Sequence, residues 1–172
     1  MTPPKTSVIN HLKAFAYRWY ARFDRGPRMA ELLPFLPDAE LEFVYPSATL
    51  TSVEALSNYL TPALAAHRQS RHVLQETEVI GVADRTYELF LPHSYQARQA
   101  DGGVLALHVV ARMRVQLELP THLDPAGHHP KVVAYKVVVL EAPATDIPAS
   151  EALATAVVEA SIANEIKAFV RT

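Results

Sequence analysis

At 172 residues the chain fits one domain, long enough to bury roughly 70% of the surface its unfolded form exposes, so folding needs neither a disulfide nor a metal. It contains no cysteine, which excludes a disulfide scaffold, a thiolate zinc site and a cysteine nucleophile. The net charge of −2 gives no cationic surface for nucleic acid, and no apolar run nears the roughly 20 residues of a membrane-spanning helix.

Residues 7–24 carry a helical pattern, with Val8, Leu12, Phe15, Trp19 and Phe23 recurring at spacings of three and four. Ser7 is a candidate N-cap, and Gly26-Pro27 ends the helix. The basic residues Lys13, Arg18 and Arg22 break up what a secretory leader would keep apolar, so the expectation is a cytoplasmic protein. A second, short helix is expected over 28–36, limited by Pro34 and Pro37. Leu41–Tyr45 reads as a strand. Thr51 and Glu54 form a capping box for a third helix through Leu56, Tyr59 and Leu60, which Pro62 is expected to kink or restart.

From His72 the period changes to two. Strands are expected over 72–82, 85–97, 103–119 and 131–141, with Asp101-Gly102-Gly103 as a hairpin turn. The third is the clearest: Leu105, Leu107, Val109, Ala111, Met113, Val115, Leu117 and Leu119 share one face, and His108, Arg112 and Arg114 share the other. A final helical extension over 146–172 offers Leu153, Val157, Ile162, Ile166 and Phe169 for packing on the domain or on a partner subunit, and a homodimer is expected. The order of elements predicts a single α+β domain with its core over 7–141.

That order resembles the NTF2-like superfamily, in its SnoaL-like and scytalone-dehydratase-like branch. Three stretches carry the resemblance: Arg18–Gly26 at the end of the first helix, Leu41–Tyr45 as the first strand, and Ser70–Leu74 at the start of a long strand. The resemblance implies a cone, in which a curved antiparallel sheet wraps N-terminal helices around one pocket. It further implies a small, fairly apolar ligand and no cofactor. Proton-transfer chemistry of the isomerase, dehydratase or cyclase type is one implied role. A non-catalytic ligand-binding or assembly module is another, and a structural small subunit like that of ring-hydroxylating oxygenases is a third.

By the same resemblance, His72 is the candidate general acid or base, Asp24 its orienter or a second base, and Tyr45 a hydrogen-bond donor. A histidine has a pKa near operating pH, and a tyrosine hydroxyl suits a developing enolate. Tyr20, one turn before Asp24 on the same helix face, is a candidate ligand contact with Trp19, Tyr59 and His108. Strict alternation puts His108 beside Arg112 and Arg114, and a bulge in the strand would be needed to turn it inward. The family pattern has a tyrosine where this chain has Phe23.

Two other clusters stand out. His122, Asp124, His128 and His129 lie among Pro120, Pro125, Gly127 and Pro130, which reads as an exposed polar hairpin loop, and no metal site is assigned there. His67, Arg68 and Arg71 follow the third helix, where cations favour the C-terminal dipole or meet a carboxylate ligand. No phosphate-binding glycine loop, nucleophile elbow or zincin motif occurs.

Overall fold

The structure, a computed structural model, describes residues 4–38, 40–66, 68–98, 102–122 and 127–141. The expected C-terminal helix over 146–172 lies outside the described residues, as do His67, Asp101 and Asp124.

Three helices and one sheet make up the described chain. Helix α1 (Thr6–Phe23) buries Leu12, Phe15, Ala16, Trp19 and Tyr20, close to the expected stripe, and Gly26 takes the positive φ of 65° that lets the chain turn away from it. The predicted 28–36 helix is a four-residue α2 (Met29–Leu32) continued by a single 3-10 turn, Leu33–Phe35. Strands β1 (Glu42–Tyr45) and β2 (Ala48–Leu50) form a hairpin, the second strand being one the sequence did not announce. Helix α3 (Val53–Ala66) is capped by Ser52, whose Oγ accepts from the Ala55 N–H at 3.1 Å, so the capping residue is one place later than expected. The helix runs through Pro62 without restarting. The Thr61 hydroxyl donates to the Ser57 carbonyl at 2.7 Å beside the turn that proline weakens.

The expected 72–82 strand is two strands. β3 (Arg68–Leu74) and β4 (Glu78–Ala83) pair in turn with the far and near halves of β5 (Thr86–Arg98), and the break between them is held by the Gln75 N–H donating to the Pro92 carbonyl at 2.9 Å. β6 (Val104–Leu117) and β7 (Pro130–Glu141) complete a sheet in the order β2-β1-β7-β6-β5-β3. All pairs are antiparallel except β1 with β7, which is parallel, so the curved sheet is mixed at that junction. Register shifts in the β3–β5, β4–β5 and β6–β7 pairs supply the local bends and extra twist that curvature needs.

Alternation on β6 holds as read from sequence. Ala111, Met113, Val115 and Leu117 are buried in the core with Leu12, Phe15, Trp19 and Phe43, on the concave side of the sheet that the helices fill. Leu119 falls beyond the end of the strand and is exposed.

Candidate functional site

Toward the outer ends of β5, β6 and β7 the same concave face is not filled. It encloses a cavity of about 350 Å³ between the sheet, α1 and α3. Trp19, Tyr20 and Phe23 of α1, Tyr45 of β1, and Tyr59 and Leu60 of α3 form one side. Leu105, Leu107 and Val109 of β6 with Val137 and Val139 of β7 form an apolar wall. His72, His93, Tyr95 and Tyr135 bring polar atoms to it.

His72 is held by Asp24 in two ways. Its ring Nδ1 lies 2.5 Å from Asp24 Oδ1, and its backbone N–H donates to Asp24 Oδ2 at 3.0 Å. The Ser70 hydroxyl donates to the Phe23 carbonyl at 3.2 Å, fastening β3 to the end of α1 a residue away. Burial lowers the His72 pKa from its ordinary value, and Asp24 opposes that only in part. A neutral ring whose Nδ1–H donates to the carboxylate leaves Nε2 as the basic atom, and His72 is the member of the pair that lines the cavity while Asp24 stands behind it.

Tyr20 packs its ring 4.8 Å from that of His72 and 4.7 Å from that of His93. The hydroxyls of Tyr20 and Tyr135 are hydrogen-bonded at 2.8 Å, and both side chains are buried. Burial raises the pKa of Tyr20, Tyr45 and Tyr135, so each remains a neutral donor at any ordinary pH. Tyr45 stacks on Tyr59 at 4.8 Å, and the Tyr59 hydroxyl bonds Ser47 Oγ at 2.9 Å. His93 donates Nδ1–H to the Leu91 carbonyl at 2.8 Å, and burial pushes its pKa down to about 4. Tyr95 lies 4.7 Å from the His72 ring, and burial first, then the Asp24 charge, raise its pKa to about 12.

Asp24, Tyr45, His72, Tyr20, Trp19 and Tyr59 are thus brought to one end of the molecule, with Asp24 in the supporting position. His108 is not. It sits opposite Ser94 in the β5–β6 register, on the convex face, with Ser94 Oγ 3.4 Å from its Nδ1. The expected ligand contact from His108 is corrected on that ground: β6 keeps strict alternation with β5 from Val104 to Gln116, so no bulge inverts it. His93, Tyr95 and Tyr135 also line the cavity and belong to none of the stretches that carry the family resemblance. The signal was present, because Leu89, Leu91, His93 and Tyr95 alternate in phase on β5.

In the histidine-rich stretch His122 is exposed as expected, whereas His128 and His129 are half-buried. His11 Nε2 donates to the His128 carbonyl at 2.7 Å, and His129 donates to the Pro34 carbonyl at 2.8 Å while stacking on Phe35. These residues fasten the start of β7 to α1 and the 3-10 turn. Arg71 is exposed on β3 and is not part of the cavity wall.

No protein-family model and no curated protein matches the sequence. Solved structures do match it. An NTF2-like superfamily protein from Salmonella enterica serovar Typhimurium superposes with a TM-score of 0.67 at 10% identity, over 84% of this chain and 99% of that one. The chain has the NTF2-like fold. A ketosteroid isomerase-like protein from Erwinia carotovora atroseptica matches at a TM-score of 0.64 and 10% identity, over 80% of this chain and 99% of that one. Aln2 from a Streptomyces species matches at 0.60 and 18% identity, over 80% and 94%. Among the described residues no helix is long and apolar enough to cross a membrane.

Proposed function

We propose that this NTF2-like chain binds a small, fairly apolar molecule in the cone cavity and moves a proton on it without a cofactor. The observation that carries the reading is the Asp24–His72 pair, with Nδ1 tied to the carboxylate and the ring forming part of the cavity wall. In that state His72 Nε2 is a base positioned beside an apolar chamber, where a carbon-bound proton next to a carbonyl is its natural target. Asp24 fixes the tautomer and stabilises the ring when it takes the proton. The hydroxyls of Tyr45 and of the Tyr20–Tyr135 pair are neutral donors, suited to the oxygen on which negative charge develops. The apolar wall of Leu105, Leu107, Val109, Val137 and Val139 suits the hydrocarbon body of a ring compound. The reaction class is isomerisation, dehydration or cyclisation.

A panel of ring carbonyl compounds, read by thermal shift and by NMR-detected exchange of the α-proton for deuterium, tests this. Compounds that raise the unfolding temperature of the native chain should lose their α-proton in its presence and keep it in the presence of His72→Ala. Leu107→Trp, which fills the chamber, should abolish both effects. A compound bound equally by the native chain and His72→Ala, with no exchange in either, would leave a ligand-binding module and end the catalytic reading.

A further inference from the structure

His93 is the cavity histidine that proton transfer by His72 leaves unused. It is 4% exposed, and its ring forms part of the chamber wall. Its Nδ1 lies 2.8 Å from the Leu91 carbonyl, and a carbonyl only accepts, so Nδ1 carries the ring proton. Nε2 is left with a lone pair, and among the described residues nothing donates to it. The Thr77 hydroxyl is the one fully sealed side-chain polar atom without a partner among the described residues, so Nε2 is open to the chamber.

The walls around His93 offer that lone pair no donor. In register the residue stands between Leu74 of β3 and Val109 of β6, both apolar. Of the rings packed on it, Tyr20 has its hydroxyl engaged with Tyr135, and His72 has its Nδ1–H on Asp24. An acceptor facing an apolar chamber without a partner costs free energy that a donor on the ligand recovers.

We propose that His93 Nε2 is the specificity-determining acceptor of the cavity, selecting ring compounds that carry a hydroxyl or N–H donor beside the carbon presented to His72. This rests on the reading that the cavity binds an apolar ring compound. The ring centres of His72 and His93 are 5.5 Å apart, so one substituted six-membered ring can reach both. The two histidines differ in what holds Nδ1. A carboxylate behind His72 stabilises the ring once it takes a proton, whereas the neutral carbonyl behind His93 supplies no such charge. Burial keeps His93 neutral down to about pH 4, so Nε2 has no proton to give a departing hydroxyl at neutral pH. The donor bound there is a recognition group that stays on the product.

Naphthol, methoxynaphthalene and naphthalene share one ring system, and only the first is a donor. Their binding is measured by calorimetry with the full-length chain and with His93→Phe, which keeps an aromatic ring against Tyr20. The native chain should prefer naphthol at least about tenfold over the other two, and His93→Phe should lose that preference. A second readout needs no variant: in nitrogen NMR of the histidine-labelled native chain, the His93 Nε2 signal should be that of an unprotonated nitrogen and should move with naphthol but not with methoxynaphthalene. Equal binding of the three by the native chain, a preference kept by His93→Phe, or an Nε2 signal that naphthol leaves in place would each overturn the proposal. The naphthols carry no ketone, so their binding is independent of catalysis. Naphthol selectivity alongside carbonyl compounds that keep their α-proton would end the catalytic reading and leave the acceptor site standing. Binding of none of the three would overturn the acceptor site together with the ligand reading on which it rests.

Discussion

Asp24 grips His72 by both of its carboxylate oxygens, one on the ring at 2.5 Å and one on the backbone N–H at 3.0 Å, so a single side chain fixes the end of α1, the course of β3 and the tautomer of a cavity histidine. Removing it should therefore do two separable things. Asp24→Ala should cost about 2 kcal/mol in urea unfolding, the usual order for hydrogen bonds to a charged group. Because Asp24 is what opposes the effect of burial on His72, Asp24→Asn should lower the His72 pKa further in an NMR titration. An unchanged unfolding midpoint, or a pKa that rises, contradicts the arrangement described.

Acid should destabilise the fold through its two cavity histidines. Both His72 and His93 have folded pKa values below the ordinary 6.5, His93 down to about 4. Above pH 6.5 both states hold these rings neutral and stability is level. As the pH falls below 6.5 the unfolded chain takes up protons that the folded chain refuses, so stability drops with a slope of up to about 1.4 kcal/mol per pH unit per histidine, for His93 down to about pH 4. His93→Gln should flatten the slope measured by urea unfolding between pH 6.5 and 4. Equal slopes in the two proteins would mean that His93 titrates normally.

The Tyr20–Tyr135 hydroxyl pair predicts a spectroscopic silence. Burial raises both pKa values, and that of Tyr45 as well, so these three of the seven tyrosines should ionise only when the chain unfolds at high pH. Ultraviolet titration should show a late, cooperative step that coincides with loss of structure by circular dichroism. Tyr135→Phe should cost about 1 kcal/mol, because the buried Tyr20 hydroxyl loses its partner. Smooth ionisation of all seven tyrosines in the folded protein would rule out the buried pair.

On the convex face Glu88 is buried and bridges Arg112 and Arg114, with both guanidinium groups within 2.6 Å of its oxygens. Burial alone would raise its pKa, yet hydrogen bonds from Arg114 and Arg112 hold it below the usual carboxylate value. Its contribution is thus complete above about pH 4.5 and lost as the pH falls through the depressed value. Glu88→Gln should destabilise by about 1–3 kcal/mol at pH 7, less than a fully buried pair because the arginines are partly solvated. The deficit should shrink at pH 3. A constant deficit across that range would show that charge is not what Glu88 contributes.

What the sequence determined by itself was local. Period-two alternation assigned the concave face of β6 and put His108 with Arg112 and Arg114. A period of three to four gave the buried stripe of α1, and Gly26-Pro27 marked its end. These readings succeed because side-chain direction follows the backbone repeat residue by residue. The tertiary structure decided what distant segments do to one another. It split the 72–82 strand, because β3 and β4 pair with successive stretches of one edge of β5 and the chain breaks between them, and it made β1 run parallel to β7. It paired Asp24 with His72 across 48 positions and Tyr20 with Tyr135 across 115, and it brought His93 and Tyr95 to the same cavity. No local pattern encodes such meetings, since they depend on how far the sheet curves before its concave face closes over α1.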